Sequence, residues 1–163
     1  MTVKTCIIYH SYSGITRGVA EQISAACGGE LIEVKPRKNY NKLTVYPFGG
    51  IRAMRGERDP IDPETLDVSG CDLIVIGSPV WAFKTTPVIN AALAALDGCA
   101  GKRAVIFATC GSQAGETLDI MRKALEEKGA TVVGESVLTR KDVNDGAKVT
   151  ELAGLVKAAG NPA

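Results

Sequence analysis

Short β-branched apolar runs alternate with longer stretches of helical period along this chain. That alternation constrains the fold more than any other feature, because strands separated by helices pair in parallel through crossovers. Val3 to Tyr9, Glu30 to Val34, Asp72 to Gly77, Arg103 to Thr109 and Thr131 to Leu138 read as five strands. The third and fourth are apolar almost throughout, as strands covered on both faces should be. Between them, Thr16 to Cys27 is amphipathic and stops at Gly28-Gly29, Pro87 to Leu96 opens on a proline, and Glu116 to Lys128 ends at Gly129 with Lys123 and Lys128 placed against the helix dipole. Asp142 to Ala159 supplies a last helix. Right-handed crossovers then give an α/β three-layer sandwich around a five-stranded parallel sheet, expected as one domain over residues 1–163.

Charge and cysteine content narrow the function classes. Nineteen basic residues against 18 acidic ones leave a formal net charge of +1, so no overall field points to nucleic acid or an anionic membrane. The longest apolar runs are too short to span a bilayer, and Met1 to Lys4 runs straight into a strand without an apolar leader, which predicts a cytoplasmic protein without a signal peptide. Five cysteines, none spaced as Cys-x2-Cys, predict free, buried thiols in a reducing compartment and no disulfide framework. A single histidine, His10, argues against a metal site.

One segment breaks the regularity. Lys35 to Gly70 is rich in Pro and Gly, with a short helix expected around Ile51 to Arg55. From Lys35 to Arg58, seven basic residues (Lys35, Arg37, Lys38, Lys42, Arg52, Arg55 and Arg58) stand against one acid, Glu57, a local net charge of +6. A solvated face explains such a stretch, and so does attraction of an acidic redox partner or of nucleotide phosphates.

Open parallel sheets bind ligands beyond the carboxyl ends of their strands, where strand order reverses. After the first strand come Ser11, Tyr12, Ser13, Gly14, Ile15 and Thr16: hydroxyls, a glycine and the free amides of a helix start, which suit a phosphate. No Lys follows Gly14, so the loop is not of the triphosphate-binding type, and the Gly-x-Gly-x-x-Gly pattern of dinucleotide sites is missing. After the third strand, Ser78, Pro79, Val80, Trp81, Ala82 and Phe83 place the one Trp of the chain where a flat ligand would stack. After the fourth, Thr109, Cys110, Gly111, Ser112 and Gly115 form a small loop able to meet a heterocycle through main-chain groups.

The run Ser-x-Ser-Gly-x-Thr at Ser11 to Thr16 resembles the flavin mononucleotide (FMN) phosphate loop of flavodoxins, and Gly77 to Pro87 resembles the loop beside the isoalloxazine in the flavodoxin-like family. Thr109 to Gly115 is similar to that family's third FMN-contacting loop. The resemblance covers essentially the whole chain and implies a strand order of 2-1-3-4-5. It implies that Ser11, Ser13 and Thr16, with the amides of Tyr12 to Thr16, bind the phosphate. Pro79 to Phe83 would line the ring with Trp81 stacking, and Thr109 to Gly115 would meet the ribityl chain and pyrimidine edge. Lys84 would offer a cation to reduced flavin, or would be a solvated lysine.

The function implied is electron transfer between redox partner proteins, ferredoxin-like or reductase, by a monomer or weak homodimer. The alternative is an FMN-dependent NAD(P)H oxidoreductase acting on a quinone or related small-molecule acceptor. The near-neutral charge and the lack of an aromatic residue in the third loop leave that alternative open, because shuttle flavodoxins are generally acidic and cover the outer ring face. A receiver domain would need clustered Asp residues at the strand ends, and a small tyrosine phosphatase a Cys-x5-Arg loop. Neither pattern is present. A cofactor-free binding scaffold is the remaining reading.

Overall fold

The computed structural model describes residues 3–38 and 49–161. Lys42 and Pro47 of the irregular crossover lie outside the described residues. In chain order the elements are β1 (Thr5–Tyr9), α1 (Ile15–Cys27), β2 (Glu30–Glu33), β3 (Lys35–Pro36), α2 (Gly50–Met54), β4 (Ile61–Asp62), β5 (Leu66–Asp67), β6 (Leu73–Trp81), β7 (Lys84–Thr85) and α3 (Pro87–Ala95). They continue with β8 (Leu96–Asp97), β9 (Arg103–Cys110), α4 (Thr117–Glu127), β10 (Thr131–Thr139), α5 (Arg140–Asp145) and α6 (Ala147–Gly160).

The five long strands pair in parallel in the order β2-β1-β6-β9-β10, the expected 2-1-3-4-5. Alternation along the buried strands sorts side chains onto two faces. Ile8, Ile74, Ile76 and Ile106 pack with Val88 and Ile89 of α3 and with Met121 and Leu125 of α4. Ile7, Tyr9, Val75, Val105 and Phe107 pack with Val19 and Ile23 of α1 and with Leu152 and Val156 of α6. Both central strands are buried over most of their length, as their apolar runs predict. Gly77 is required by this packing, since a Cβ there would stand 2.1 Å from Phe107 Cζ.

Four expectations are corrected. The third long strand does not stop at Gly77. It runs on to Trp81, turns through Ala82 and Phe83 and returns antiparallel as β7, so the expected loop is a two-residue hairpin. Both turn residues have positive φ, 50° and 62°, the sign required at the two central positions of a type I′ turn. The last helix is two helices: a capping box between Thr139 and Asp142 starts α5 early, and Gly146, at φ 82°, ends it before α6. Lys128 does not serve the end of its own helix; its Nζ donates to Ala94 O (2.9 Å) and Leu96 O (2.5 Å), the free carbonyls at the end of α3.

The fourth concerns the cysteines. Cys6 and Cys71 are joined as a disulfide, with Cα atoms 6.1 Å apart, while Cys27, Cys99 and Cys110 are free. Adjacency of β1 and β6 brings the pair together across 65 residues, a proximity invisible in Cys spacing. No helix of the described residues is long and apolar enough to cross a membrane.

Candidate functional site

Strand lengths create the site. The β1–β6 ladder ends at Tyr9 and Gly77, whereas β6 continues beside β9 to Pro79 and then, paired only with β7, to Trp81. The overhang stands as a wall over the start of α1. The resulting cleft, about 560 Å³, is lined by Tyr12, Ser13, Ile15 and Thr16 at one end, by Pro79 to Ala82 along the wall, and by Thr109, Cys110 and Gly111 beyond it. Gly50 and Arg140 complete the lining, and neither is among the residues singled out by sequence.

Six of the residues singled out do not line the cleft. Ser11 Oγ accepts the Gly14 N–H (3.0 Å), so these two shape the first loop, in which Gly14 takes φ 93°. Ser78 is fully buried and donates its hydroxyl to Pro79 O (2.8 Å). Phe83, at the hairpin tip, is 59% exposed. Ser112 and Gly115 lie outside, although Gly115 holds the loop against the hairpin. Its φ is 56°, and a Cβ there would stand 2.5 Å from Phe83 O, while the Glu116 N–H donates to that same oxygen (2.8 Å). The third loop thereby clamps the hairpin.

The hydroxyl-rich end of the cleft relies on main-chain donors. Helical pairing of α1 begins with Gly18 N–H donating to Gly14 O (3.0 Å), leaving the amides of Ile15, Thr16 and Arg17 without intrahelical acceptors. The aligned dipoles add positive potential there. Thr16 Oγ1 is buried and bonded to Thr109 Oγ1 (2.8 Å), joining the first and third loops, so among the expected phosphate hydroxyls that of Ser13 is the one lining the cleft without a bond to the protein. Arg17 turns away to pair with Glu33, its Nε donating to Oε1 at 3.1 Å.

Trp81 is held from several sides. His10 lies edge-on to it (5.7 Å, 72°), as does Tyr12 (6.2 Å, 82°), and a Cβ on Gly49 would stand 2.8 Å from its ring. His10 is 3% exposed, its Nδ1 hydrogen-bonded with Thr86 Oγ1 (2.9 Å), and Thr86 Oγ1 also accepts the Ile89 N–H that begins α3 (3.2 Å). Burial lowers the His10 pKa to about 4, against opposing pulls from Asp59 and Glu33, so the ring is neutral near pH 7. Burial likewise pushes the Cys110 thiol up, which keeps it protonated and unsuited to nucleophilic work.

Lys84 is neither in the cleft nor a simple solvated lysine. Its Nζ donates to Met54 O (3.1 Å) and lies 3.6 Å from Glu116, tying the hairpin to α2 and to the third loop. Among the lining residues Arg140 is the one charged side chain. The rule that ligands gather at the carboxyl ends of strands would have found it, since it directly follows β10.

An open parallel sheet with a cleft at its topological switch point, a helix start at one end and an aromatic wall define the class of doubly wound α/β proteins that hold a phosphorylated cofactor. Within that class the chain belongs to the flavodoxin family, whose model matches residues 4–144. A search of curated proteins gives no match. Among solved structures, a Lactobacillus acidophilus flavoprotein in complex with FMN is 23% identical, with 91% of this chain and 99% of that one covered and a TM-score of 0.66. The two-electron reduced Megasphaera elsdenii flavodoxin is 20% identical (96% and 98% covered, TM-score 0.62), and an NADH:FMN oxidoreductase in its apo form is 18% identical (98% and 89% covered, TM-score 0.66). At these identities the likeness is one of fold.

Proposed function

We propose that the chain binds FMN in this cleft and carries electrons between redox partners. The observation that carries the reading is the juxtaposition of the unpaired amides of α1 with the Trp81 wall in one cleft at the switch point. The residues fit the group. The amides of Ile15 to Arg17 and the Ser13 hydroxyl would hold the phosphate, Trp81 and Pro79 would face the ring, and Thr109 to Gly111 would meet the chain and ring edge through main-chain groups. Bound flavin supplies one- and two-electron chemistry; the chain holds it, excludes water from one ring face and sets its electrostatic surroundings. His10 and Tyr12 keep Trp81 in place for this, and the Glu116 to Phe83 bond keeps the hairpin closed on the third loop.

A second reading, a nicotinamide-dependent flavin oxidoreductase, is favoured by Arg140, a cation that an electron shuttle of acidic surface would not place in its cleft. Anaerobic titration of the FMN-loaded protein separates the two: bleaching by dithionite but not by NADH or NADPH supports the carrier, and rapid bleaching by either nucleotide supports the enzyme. Failure of the purified protein to quench FMN fluorescence would end both. Within the binding reading, Ser13→Ala is expected to weaken FMN by roughly 1 kcal/mol, and Trp81→Ala by a similar amount with an altered flavin spectrum.

A further inference from the structure

Resting on the FMN reading above, we infer that Arg140 contacts the pyrimidine edge of the flavin and favours its two-electron-reduced state. The phosphate-holding amides follow β1, and Arg140 follows β10, three strands away across β6 and β9. At ordinary strand spacing that is roughly 14 Å, too far for Arg140 to serve the phosphate. It stands instead beside the third loop, because Thr139 is the register partner of Cys110 in the β9–β10 ladder. Arg140, Cys110 and Gly111 all line the cleft.

The side chain is available. Asp142, the nearest acid in sequence, is engaged by the Thr139 N–H (2.9 Å) and hydroxyl (2.9 Å) and lies 3.7 Å from Lys148. Among the described residues Arg140 itself has no ion pair or hydrogen bond through its guanidinium, and the capping box fixes where its backbone leaves the sheet.

Chemistry selects the target. A guanidinium presents parallel N–H donors that suit two adjacent acceptors. The isoalloxazine offers such pairs in N1 with O2 and in N5 with O4, and offers none at its dimethylbenzene end; N5 becomes an N–H donor on reduction, which leaves N1 and O2 as the pair that accepts from a guanidinium in the reduced ring. When the ring takes up two electrons and one proton at N5, one negative charge remains, spread over N1 and O2. A fixed cation there binds the reduced ring more tightly than the oxidised one, and by linkage raises the two-electron potential. The role that Lys84 would have filled thus falls to a cation delivered by the edge strand β10.

The test compares wild type, Arg140→Gln and Arg140→Lys by fluorescence titration of the apoprotein with FMN and by the two-electron potential of the loaded protein with dithionite as reductant. Arg140→Gln is expected to lose about tenfold more affinity for reduced than for oxidised flavin, which for a two-electron couple is a fall of about 30 mV. Arg140→Lys should keep most of the potential, and the difference should shrink as salt is added. Binding that persists with an unchanged potential in Arg140→Gln overturns this inference alone. Equal loss for both redox states also overturns it, since a purely structural side chain would give that result. A wild-type protein that does not bind FMN overturns the parent reading and this one with it.

Discussion

Acidification offers a direct measure of how firmly the site is supported from below, through His10. Its pKa is about 4 in the folded chain against 6.5 for the free group, chiefly because burial disfavours the charged ring. The unfolded chain therefore takes up the proton first as pH falls. Stability is unaffected above about pH 6.5, declines between about pH 6.5 and 4, and reaches its full loss of about 3 kcal/mol below that. By about pH 5 the loss is already about 2 kcal/mol, before most carboxylates titrate. Urea unfolding at several pH values between about 7.5 and 5 would measure it, with His10→Asn or His10→Gln as controls that should flatten the slope. Protonation of the ring in the folded chain would disturb the cleft, because the ring is edge-on to Trp81 and bonded to Thr86. That protonation begins only as pH nears 4, so FMN affinity should hold down to about pH 5 and fall below it. His10 is the sole histidine of the chain, so its proton NMR titration is unambiguous. A midpoint near 6.5 in the native protein, or equal pH slopes in wild type and variants, would refute the reasoning.

Three other outcomes are expected. Denatured, unreduced protein should titrate three thiols and reduced protein five, and Cys71→Ala should lose about 4 kcal/mol on a chain-entropy basis for a loop of about 65 residues, with little change in FMN affinity; five thiols without reduction would exclude the bond. Gly115→Ala, which puts a Cβ 2.4 Å from Phe83 Cβ at a left-handed φ, should cost roughly 2 kcal/mol and loosen the third loop from the hairpin, measurable as a lower melting temperature and weaker FMN binding. Phe83→Gly should stabilise by roughly 0.5–1 kcal/mol in a urea melt, because relief of left-handed strain at an exposed residue outweighs the added freedom of the unfolded chain. A destabilised Phe83→Gly would mean that the ring packs more than its exposure indicates.

The five strands were legible because buried parallel strands read as apolar runs and their crossovers as helical period, whereas their order was implied by the resemblance of the loops to the flavodoxin-like family. The cleft's two ends, Ser13 to Thr16 and Thr109 to Gly111, were legible for the same reason: each follows a well-marked strand. The hairpin was not, since Ala82-Phe83 carries none of the Asn-Gly or Gly-x chemistry of tight turns. Its conformation is imposed by tertiary contact, through Gly115, Glu116 and Lys84. Arg140 was hidden for another reason. In the run Arg140-Lys141-Asp142 it looks like one of several solvated charges, and its distinction arises when β10 delivers it beside Cys110. The disulfide needed the same knowledge of which strands are neighbours.

Charge illustrates how folding redistributes what a local count suggests. The basic stretch from Lys35 to Arg58 gathers acids from outside it: Lys35 lies 3.4 Å from Glu33, Arg37 pairs with Glu64, and Arg52 pairs with Asp59 as well as with the stretch's own Glu57 at 3.5 Å. Such pairs contribute little stability at the surface, but they cancel field. Arg55 and Arg58 keep their charge unpaired among the described residues, yet they border a separate cleft of about 380 Å³ between α2, α3 and α4, outside the cleft beneath Trp81. The local +6 is therefore mostly a matter of one crossover's own packing. What a ligand in the Trp81 cleft meets is the positive end of α1 on one side and a single guanidinium on the other. A ligand that carries a phosphate at one end and gains negative charge at the other matches that field at both ends, and the second match operates only once it is reduced.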